Sequence, residues 1–269
     1  MAADTTSKVK ILLEVCVDSV ESALAAVRGG ADRLEVCGNL GFGGGTTPSI
    51  GLLRSIQSAT PGIPIMAMVR PRVGDFLYST SEIEVMLEDI RAFKRHSVQG
   101  VVFGVLTEEG SIDVEKTKLL VGEASPLEVC FHRAFDLTGD VYRAFGDILS
   151  ISGITRILTS GQGVSAPASL EVLASLMQSA KSQSETPGLR QLRILPGSGI
   201  NASSIKKVCD VLLPQGLREV HLSGGQWIDG NMAFRPGGMG MGAGGDREWA
   251  IWRTSEESVQ AVRTFLDSL

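Results

Sequence analysis

Short apolar runs rich in β-branched residues alternate with helical patterns along the chain. The runs predict eight strands, at residues 11–17, 33–37, 64–70, 100–105, 127–132, 155–159, 192–195 and 218–222. The helical patterns predict helices at residues 19–28, 49–59, 81–94, 113–122, 140–150, 166–180, 202–211 and 255–269. Such alternation is typical of parallel strands joined by right-handed crossover helices.

Eight strand-helix units favour an α/β fold, a single-domain TIM (β/α)8 barrel. An open doubly wound sheet is the alternative, but no G-x-G-x-x-G motif follows the first strand. We expect residues 1–10 to form a flexible N-terminal tail and residues 11–269 to form the barrel domain. Ser81 and Asn201 are the expected N-caps of the third and seventh helices.

One long Gly-rich loop, residues 223–254, follows the eighth predicted strand. A loop of this length inside a compact domain is usually functional or mobile. Its position after the last strand places it over the mouth of the barrel. An ordered lid and a disordered insertion are equally compatible with its composition.

Strand parity predicts which side chains enter the barrel, because successive side chains alternate between the two faces. If Leu13, Val15 and Val17 pack under the helices, one consistent choice directs polar residues of several strands inward. A structural ion-pair network is the alternative for the inward residues of the lower and middle levels, which are Arg33, Glu128, Arg156, Arg193 and Glu219. Barrel sites form at strand C-termini, where the pattern places Cys16, Cys37, Arg70, His132, Ser160 and His221.

Cys16 and Cys37 end adjacent predicted strands with the same inward parity. Neighbouring strands lie about 4.8 Å apart, so two thiols at one level are placed to share an ion. Thiolates suit Cu(I), or Zn(II) with further ligands such as His132 and His221. The alternative is that both cysteines are small buried hydrophobes, since the chain contains no C-x-x-C pair.

Glu14 and Glu35 form a second predicted pair, one pleat below the cysteines. Two neighbouring carboxylates repel each other, so one is expected to carry a raised pKa and to act as an acid or base. The alternative is that Arg33, Arg70 or Arg133 neutralises each of them.

Glycine-rich turns after the sixth and seventh predicted strands suit an anion, because their backbone N–H groups can approach a phosphate or carboxylate. Arginines after the third strand are expected to clamp the same anion, and Asp75 is expected to orient an arginine or act as a base. Simple tight turns are the alternative. The predicted anion-binding residues are Arg70, Ser160, Gly161, Gly197, Ser198 and Gly199.

The composition narrows the function classes. A net charge of −5 and a pI of about 5.3, without a dense Lys/Arg run, argue against a nucleic-acid partner. No apolar stretch approaches the length of a membrane span, and the polar first residues lack the apolar core of a secretory signal. The four cysteines are too few for a disulfide scaffold in 269 residues, so we expect free thiols.

The chain resembles the CutC copper-homeostasis family in runs that span residues 12–242 in order. The resemblance implies a TIM barrel, a cytoplasmic location with the nucleus left open, and self-association as a homo-oligomer. It also implies Cu(I) bound through Cys16 and Cys37, with His132 and His221 as the matching histidines. The runs are LLEVCVDSVESALAAVRGGADRLEVC, GGTTPSIGLL, VRPRVGDFLYS, GVVFGVLTEEGSIDVE, CFHRAFD, ILTSG, ILPGSGIN and MAFRPGGMGMG.

Two functions follow from these observations. The first is copper homeostasis through Cu(I) binding. The second is an enzyme acting on a small anionic metabolite at the barrel mouth, because a copper carrier does not require carboxylates, arginines, histidines and a Gly-rich turn in one place. The candidate catalytic residues of the second function are Glu14, Glu35, Arg70, Asp75, His132, Arg133 and His221.

Overall fold

The computed structural model describes residues 10–184, 192–239 and 242–269. The predicted N-terminal tail lies outside the described residues, apart from Lys10. Eight parallel strands form one sheet: β1 (Leu12–Val17), β2 (Arg33–Val36), β3 (Ile65–Met68), β4 (Gly100–Phe103), β5 (Glu128–Phe131), β6 (Ile154–Thr159), β7 (Arg193–Pro196) and β8 (Glu219–Leu222). The helices are α1 (Val20–Arg28), α2 (Ile50–Ala59), α3 (Thr80–Arg95), α4 (Val114–Ala124), α5 (Val141–Leu149), α6 (Leu170–Ser184), α7 (Ile205–Leu212) and α8 (Glu256–Asp267).

The eight strands follow one another around a nearly closed barrel, with β1 paired to both β2 and β8. Between the two ends of the sheet, Gly197 packs closely against Leu158 and His221. The predicted TIM (β/α)8 barrel is therefore confirmed. None of the described helices combines the length and the apolar character needed to cross a membrane.

Two apolar layers fill the fold. Leu13, Val15 and Val17 belong to the outer layer between strands and helices, as the parity argument predicts. A separate cluster fills the lumen and consists of Met66, Val102, Cys130, Leu158 and Leu195. Because this inner layer is packed, the barrel is not a pore.

Neighbouring strands are staggered, and the stagger determines which side chains lie directly opposite each other. Cys16 lies opposite Glu35, and Glu14 lies opposite both Arg33 and His221. The members of the two predicted pairs, Cys16 with Cys37 and Glu14 with Glu35, are therefore offset along the strands by two residues. Closing a sheet into a barrel requires a register shift, and parity alone does not reveal its size.

The segment after β8 is only partly a loop. Its ends form an antiparallel hairpin of β9 (Gly225–Asp229) and β10 (Ala250–Thr254). The rings of Trp227 and Trp252 meet edge to face at 5.5 Å, and Phe42 meets Trp227 at 5.2 Å. The hairpin therefore packs against the loop that follows β2. Neither a continuous loop nor a disordered insertion describes these ends correctly.

Both predicted helix caps are displaced in the structure. The N-cap of α3 is Ser79, whose hydroxyl accepts from the Glu82 amide while the Glu82 carboxylate accepts from the Ser79 amide. This reciprocal capping box satisfies two donors of the first turn, which Ser81 does not do. The N-cap of α7 is Ser204, and Asn201 instead accepts from the amides of Ser203 and Ser204.

We expect Ser79→Ala to lower the free energy of unfolding by about 1 kcal/mol, because it removes the acceptor of the capping box. Ser81→Ala is the matched control and should change the free energy of unfolding by less than about 0.5 kcal/mol. Urea denaturation followed by circular dichroism measures both. Equal losses in the two variants would contradict the assignment of Ser79 as the cap.

Candidate functional site

A cavity of about 1120 Å³ opens at the C-terminal ends of the strands and is called the mouth cavity below. Loops after several strands form its walls, and the upper lumen forms its floor. Its lining includes Cys16, Glu35, Arg70, His132, Ser198 and His221. The structure thus brings together most of the residues that the sequence placed at the barrel mouth.

Buried charges run along the lumen below the mouth cavity. The Arg33 guanidinium binds the carboxylates of Glu14 and Glu219. Arg156 extends this series of ion pairs, with its Nη2 2.5 Å from Glu128 Oε2 and its Nε 3.6 Å from Glu219 Oε2. This ion-pair ladder contains the structural network that the sequence suggested for the lower level. Removing one member leaves a buried charge without its partner, which is strongly destabilising.

Glu14 connects the ladder to the mouth cavity. Its Oε1 lies 2.8 Å from Nδ1 of His221. Burial raises the pKa of Glu14, but the charge of Arg33 and the hydrogen bond to His221 outweigh burial and lower the pKa to about 2. Glu14 is therefore a fixed anion at neutral pH, and it orients the imidazole of His221.

Glu35 carries the raised pKa that the sequence predicted for one of the two carboxyls. Burial raises its pKa to about 7, because the attraction of His221 offsets burial only in part and the Glu14 carboxylate adds repulsion. Its Oε2 lies 3.8 Å from His221 Nε2, and its Oε1 is buried without a hydrogen-bond partner among the described residues. Glu35 is therefore available for a proton or a cation.

Cys16, Glu35 and His221 present one ligand atom each within 4.8 Å of one another. Burial raises the pKa of the Cys16 thiol, whose Sγ lies 3.7 Å from the carbonyl oxygen of Leu222. Burial lowers the pKa of His221, but the acidic groups Cys16 and Glu35, and hydrogen bonds to Cys16 and Glu14, raise it well above its ordinary value. The three groups form a compact set of sulfur, oxygen and nitrogen donors.

Cys37 lies outside that group of three. Its Sγ is 3.6 Å from the carbonyl oxygen of Val17. A Cβ at Gly45 would lie 3.0 Å from both Cys37 Sγ and Met68 Sδ, so the two sulfur atoms are neighbours. Burial, followed by repulsion from Cys16, raises the pKa of Cys37 well above its ordinary value. The predicted metal pair of Cys16 and Cys37 stays a prediction.

His132 is a buried, neutral imidazole in the wall of the mouth cavity. Burial and the positive charge of Arg70 lower its pKa to about 3. Its Nδ1 accepts from the amide of Ala134 at 3.3 Å, while Nε2 has no partner among the described residues. The imidazole fits at this position because residue 104 is a glycine. A Cβ at Gly104 would lie 2.6 Å from His132 Nδ1.

Arg70 holds loops together rather than presenting a free guanidinium. Its Nη1 donates to the carbonyl oxygens of Gly43 and Gly45, and its Nη2 donates to that of Gly74. The guanidinium also lies over the Phe76 ring, 4.8 Å from its centroid. These contacts occupy both terminal nitrogens that the predicted anion clamp requires. Its catalytic and anion-binding roles stay predictions.

Asp75 lies on the surface, with its side chain 72% exposed and paired to Arg72 at 2.9 Å. It is not among the described residues that line the mouth cavity. The same arginine also bonds Glu82, so this pair supports the start of α3. The structure offers no support for Asp75 as a base.

Asp136 is a residue of this site that the sequence reasoning missed. Its carboxylate accepts from the Ser160 amide and hydroxyl, from the Thr159 hydroxyl and from the Gln162 amide. It also pairs with Arg133, which lines the mouth cavity. In the sequence, Asp136 is marked only as the acidic residue that ends the run CFHRAFD. No spacing rule predicts that it accepts hydrogen bonds from several residues of another turn.

The hydrogen bonds of Asp136 and Thr159 change the predicted anion site. Asp136 takes the donors of Ser160, the Gly161 amide donates to Thr159 Oγ1, and the Gly197 amide donates to the Thr159 carbonyl. These three predicted anion-binding positions are therefore occupied by the protein itself. Ser198 and Gly199 are the predicted glycine-turn positions that line the mouth cavity.

Comparisons with known proteins identify relatives over most of the chain. Residues 11–226 match the CutC family. The chain is 44% identical to the human copper homeostasis protein cutC homolog, over 86% of this chain and 80% of that protein. It is 40% identical to a family protein CutC of Chromobacterium violaceum, over 95% of this chain and 98% of that protein. The solved copper homeostasis protein CutC from Streptococcus agalactiae superposes with a TM-score of 0.70 at 27% identity, covering 79% of this chain and 98% of that chain.

The stabilisation contributed by Glu14 should disappear in acid. Its folded-state pKa of about 2 lies below the ordinary value of 4.5, so ionised Glu14 stabilises the fold fully above pH 4.5 and progressively less towards pH 2. The difference in unfolding free energy between wild type and Glu14→Gln should therefore shrink by about 3 kcal/mol over that range.

Urea denaturation at several pH values between about pH 6 and about pH 2.5 measures this difference. The control is Glu84→Gln, a change at an exposed position of α3. Its effect should stay below about 0.5 kcal/mol throughout. A constant difference between wild type and Glu14→Gln would contradict the pairing of Glu14 with Arg33 and His221.

Proposed function

The chain belongs to the CutC family, and on that premise we propose that it binds Cu(I) as its cargo at the floor of the mouth cavity. The proposed ligands are the thiolates of Cys16 and Cys37. The observation that carries the proposal is the buried Cys16 thiol beside His221 and Glu35, with their ligand atoms within 4.8 Å of one another. Relatives named as copper homeostasis proteins support it.

The donor chemistry favours Cu(I) over harder cations once both sulfurs take part. Thiolate and thioether ligands select Cu(I), whereas a set of one thiolate, one imidazole and one carboxylate also suits Zn(II). Cys37 and Met68 place two further sulfur atoms on the same side of the lumen, next to Gly45. A copper ion held between Cys16 and Cys37 therefore meets a soft environment.

Binding requires each thiol to lose its proton, because the thiolate is the ligand. Burial raises the pKa of both thiols, so they are protonated in the free protein at neutral pH. On binding, the thiols exchange their hydrogen bonds with the carbonyls of Leu222 and Val17 for the metal. The charge of the neighbouring His221 imidazolium favours the Cys16 thiolate.

The proposal places the protein in a reducing compartment, the cytoplasm, with the nucleus left open. All four cysteines are free thiols in the structure. Structural disulfides are rare in such compartments, where thiols stay reduced and competent for Cu(I). Self-association, which the family resemblance implies, stays a prediction.

We expect the reduced protein to bind one Cu(I) tightly in an anaerobic titration against a chromogenic Cu(I) chelator. The Cys16→Ser, Cys37→Ser double variant should lose this binding, because serine supplies no soft ligand. The control is Cys209→Ser, which changes a thiol of α7 in the outer core. Retention of Cu(I) by the folded double variant would contradict the proposal.

X-ray absorption at the copper edge distinguishes the two donor sets. Coordination by Cys16 and Cys37 predicts two sulfur scatterers. The alternative set of Cys16, Glu35 and His221 predicts one sulfur scatterer together with nitrogen and oxygen. A single sulfur would exclude Cys37 as a ligand while leaving the floor of the mouth cavity as the site.

The apparent Cu(I) affinity should rise with pH. Because the raised thiol pKa values keep both groups protonated near neutrality, binding releases protons. Between about pH 6 and about pH 8 we expect about a tenfold increase per pH unit for each proton released. Competition titrations at three pH values test this, and an affinity independent of pH would exclude binding that releases the protons of the two thiols.

A further inference from the structure

We infer that the mouth cavity also binds a small metabolite that carries a phosphate or carboxylate group together with a carbonyl or hydroxyl oxygen. Its volume of about 1120 Å³ is that of a small-molecule pocket and far exceeds the space that one metal ion needs. The oxyanion would be held by the turn after β7, and the neutral oxygen by His132. This site is separate from the copper proposal, which concerns the thiols at the floor.

The turn after β7 presents unused backbone donors. Ser198 and Gly199 adopt positive φ angles of 72° and 76°, and both line the mouth cavity together with Ile200. Within the described part of the chain, the amides of these three residues donate to no protein acceptor. Consecutive amides freed by such a turn form a concavity that attracts an anion.

The turn after β8 contributes to the same wall of the mouth cavity. Ser223 and Gly224 line the cavity, and their amides likewise have no acceptor among the described residues. Gly224 has a positive φ of 54°. TIM barrels frequently bind phosphate with the loops after strands seven and eight. The turns after β7 and β8 thus both present unpaired amides at the part of the mouth cavity where TIM barrels frequently bind an oxyanion.

His132 supplies a further observation, independent of the backbone amides, that points to a bound ligand. Because Nδ1 accepts from the Ala134 amide, the single proton of the neutral ring resides on Nε2. This N–H donor is buried on a side chain that is 4% exposed, lines the mouth cavity and has no partner among the described residues. A buried donor without an acceptor is costly, so a ligand oxygen at this position is favoured.

The charges around the cavity orient such a ligand. Glu35 lines the floor, and a carboxyl group there disfavours the anionic end of the ligand. Arg133 lines the wall with its side chain 46% exposed, although Asp136 balances much of its charge. The oxyanion is therefore expected at the turn of residues 198–200, with the uncharged oxygen directed towards His132.

The experiment titrates the reduced, metal-free protein with three probes, which are inorganic phosphate, malonate and dihydroxyacetone phosphate. Two-dimensional NMR of nitrogen-15-labelled protein follows the backbone amides, and calorimetry gives the affinities. We expect amide shifts at residues 198–200 with phosphate or malonate, and the stronger of the two identifies the anion class. Dihydroxyacetone phosphate should bind about tenfold more tightly than phosphate, because its carbonyl adds one hydrogen bond from His132.

Two variants with matched controls test the two parts of the site. Gly199→Ala should weaken all oxyanion probes, because Gly199 has a positive φ and a Cβ there would lie 2.8 Å from Ser165 Cβ. Gly216→Ala also replaces a positive-φ glycine, away from the cavity, and should not weaken them. His132→Leu should remove the tenfold advantage of dihydroxyacetone phosphate and leave phosphate binding unchanged, while His96→Leu should change neither.

The proposal is overturned if no probe binds at millimolar concentration, or if shifts occur only at surface residues away from the turn. It is also overturned if Gly199→Ala and Gly216→Ala affect phosphate equally. Cu(I) titration of the His132→Leu and Gly199→Ala variants separates this result from the copper proposal. Retained Cu(I) with lost oxyanion binding identifies two sites in one cavity, whereas oxyanion binding without Cu(I) would reject only the copper proposal.

Discussion

The pairing of Arg33 with Glu14 and Glu219 is the interaction on which the rest of the lumen depends. Each of these charges is almost completely removed from water, and each would be costly if it stood alone. Because Glu14 is held by Arg33, it can hold His221 in turn. The strand register places Cys16 opposite Glu35, and the imidazole of His221 lies beside both at the floor of the mouth cavity. Charge balance deep in the barrel thus positions donors at its open end.

The mouth cavity divides into two chemical zones. The floor combines thiol, carboxyl and imidazole groups that suit a soft cation once their protons leave. The wall offers unpaired backbone amides and a neutral imidazole, which suit an oxyanion and a carbonyl oxygen. Asp136 supports the wall, because it occupies the side-chain and backbone donors of the turn after β6 and so fixes that turn. The two proposed ligands, Cu(I) and a small oxyanion, would therefore contact different residues of the same cavity.

Sequence reasoning predicted the barrel, because eight alternations of strand and helix leave few architectures. It also predicted the inward face of several strands, as the lumen residues Met66, Cys130 and Leu158 show. It failed where long-range geometry decides. The register that pairs Cys16 with Glu35 follows from barrel closure, which no local pattern encodes. The role of Asp136 depends on contacts with Thr159, Ser160 and Gln162, which lie 23 to 26 residues further along the chain. The contacts of Arg70 are not predicted either, because its carbonyl partners Gly43 and Gly74 lie on two glycine loops without a sequence signature.

The hairpin after β8 has a practical consequence for work on this protein. Trp227 and Trp252, two of the three tryptophans in the chain, contact each other beside the loop that follows β2. Gly43 and Gly44 of that loop line the mouth cavity, and the Gly43 and Gly45 carbonyls bind Arg70. Any rearrangement of the rim therefore alters the surroundings of two coupled indoles. We therefore expect the tryptophan emission spectrum to change when the rim rearranges, without an added label.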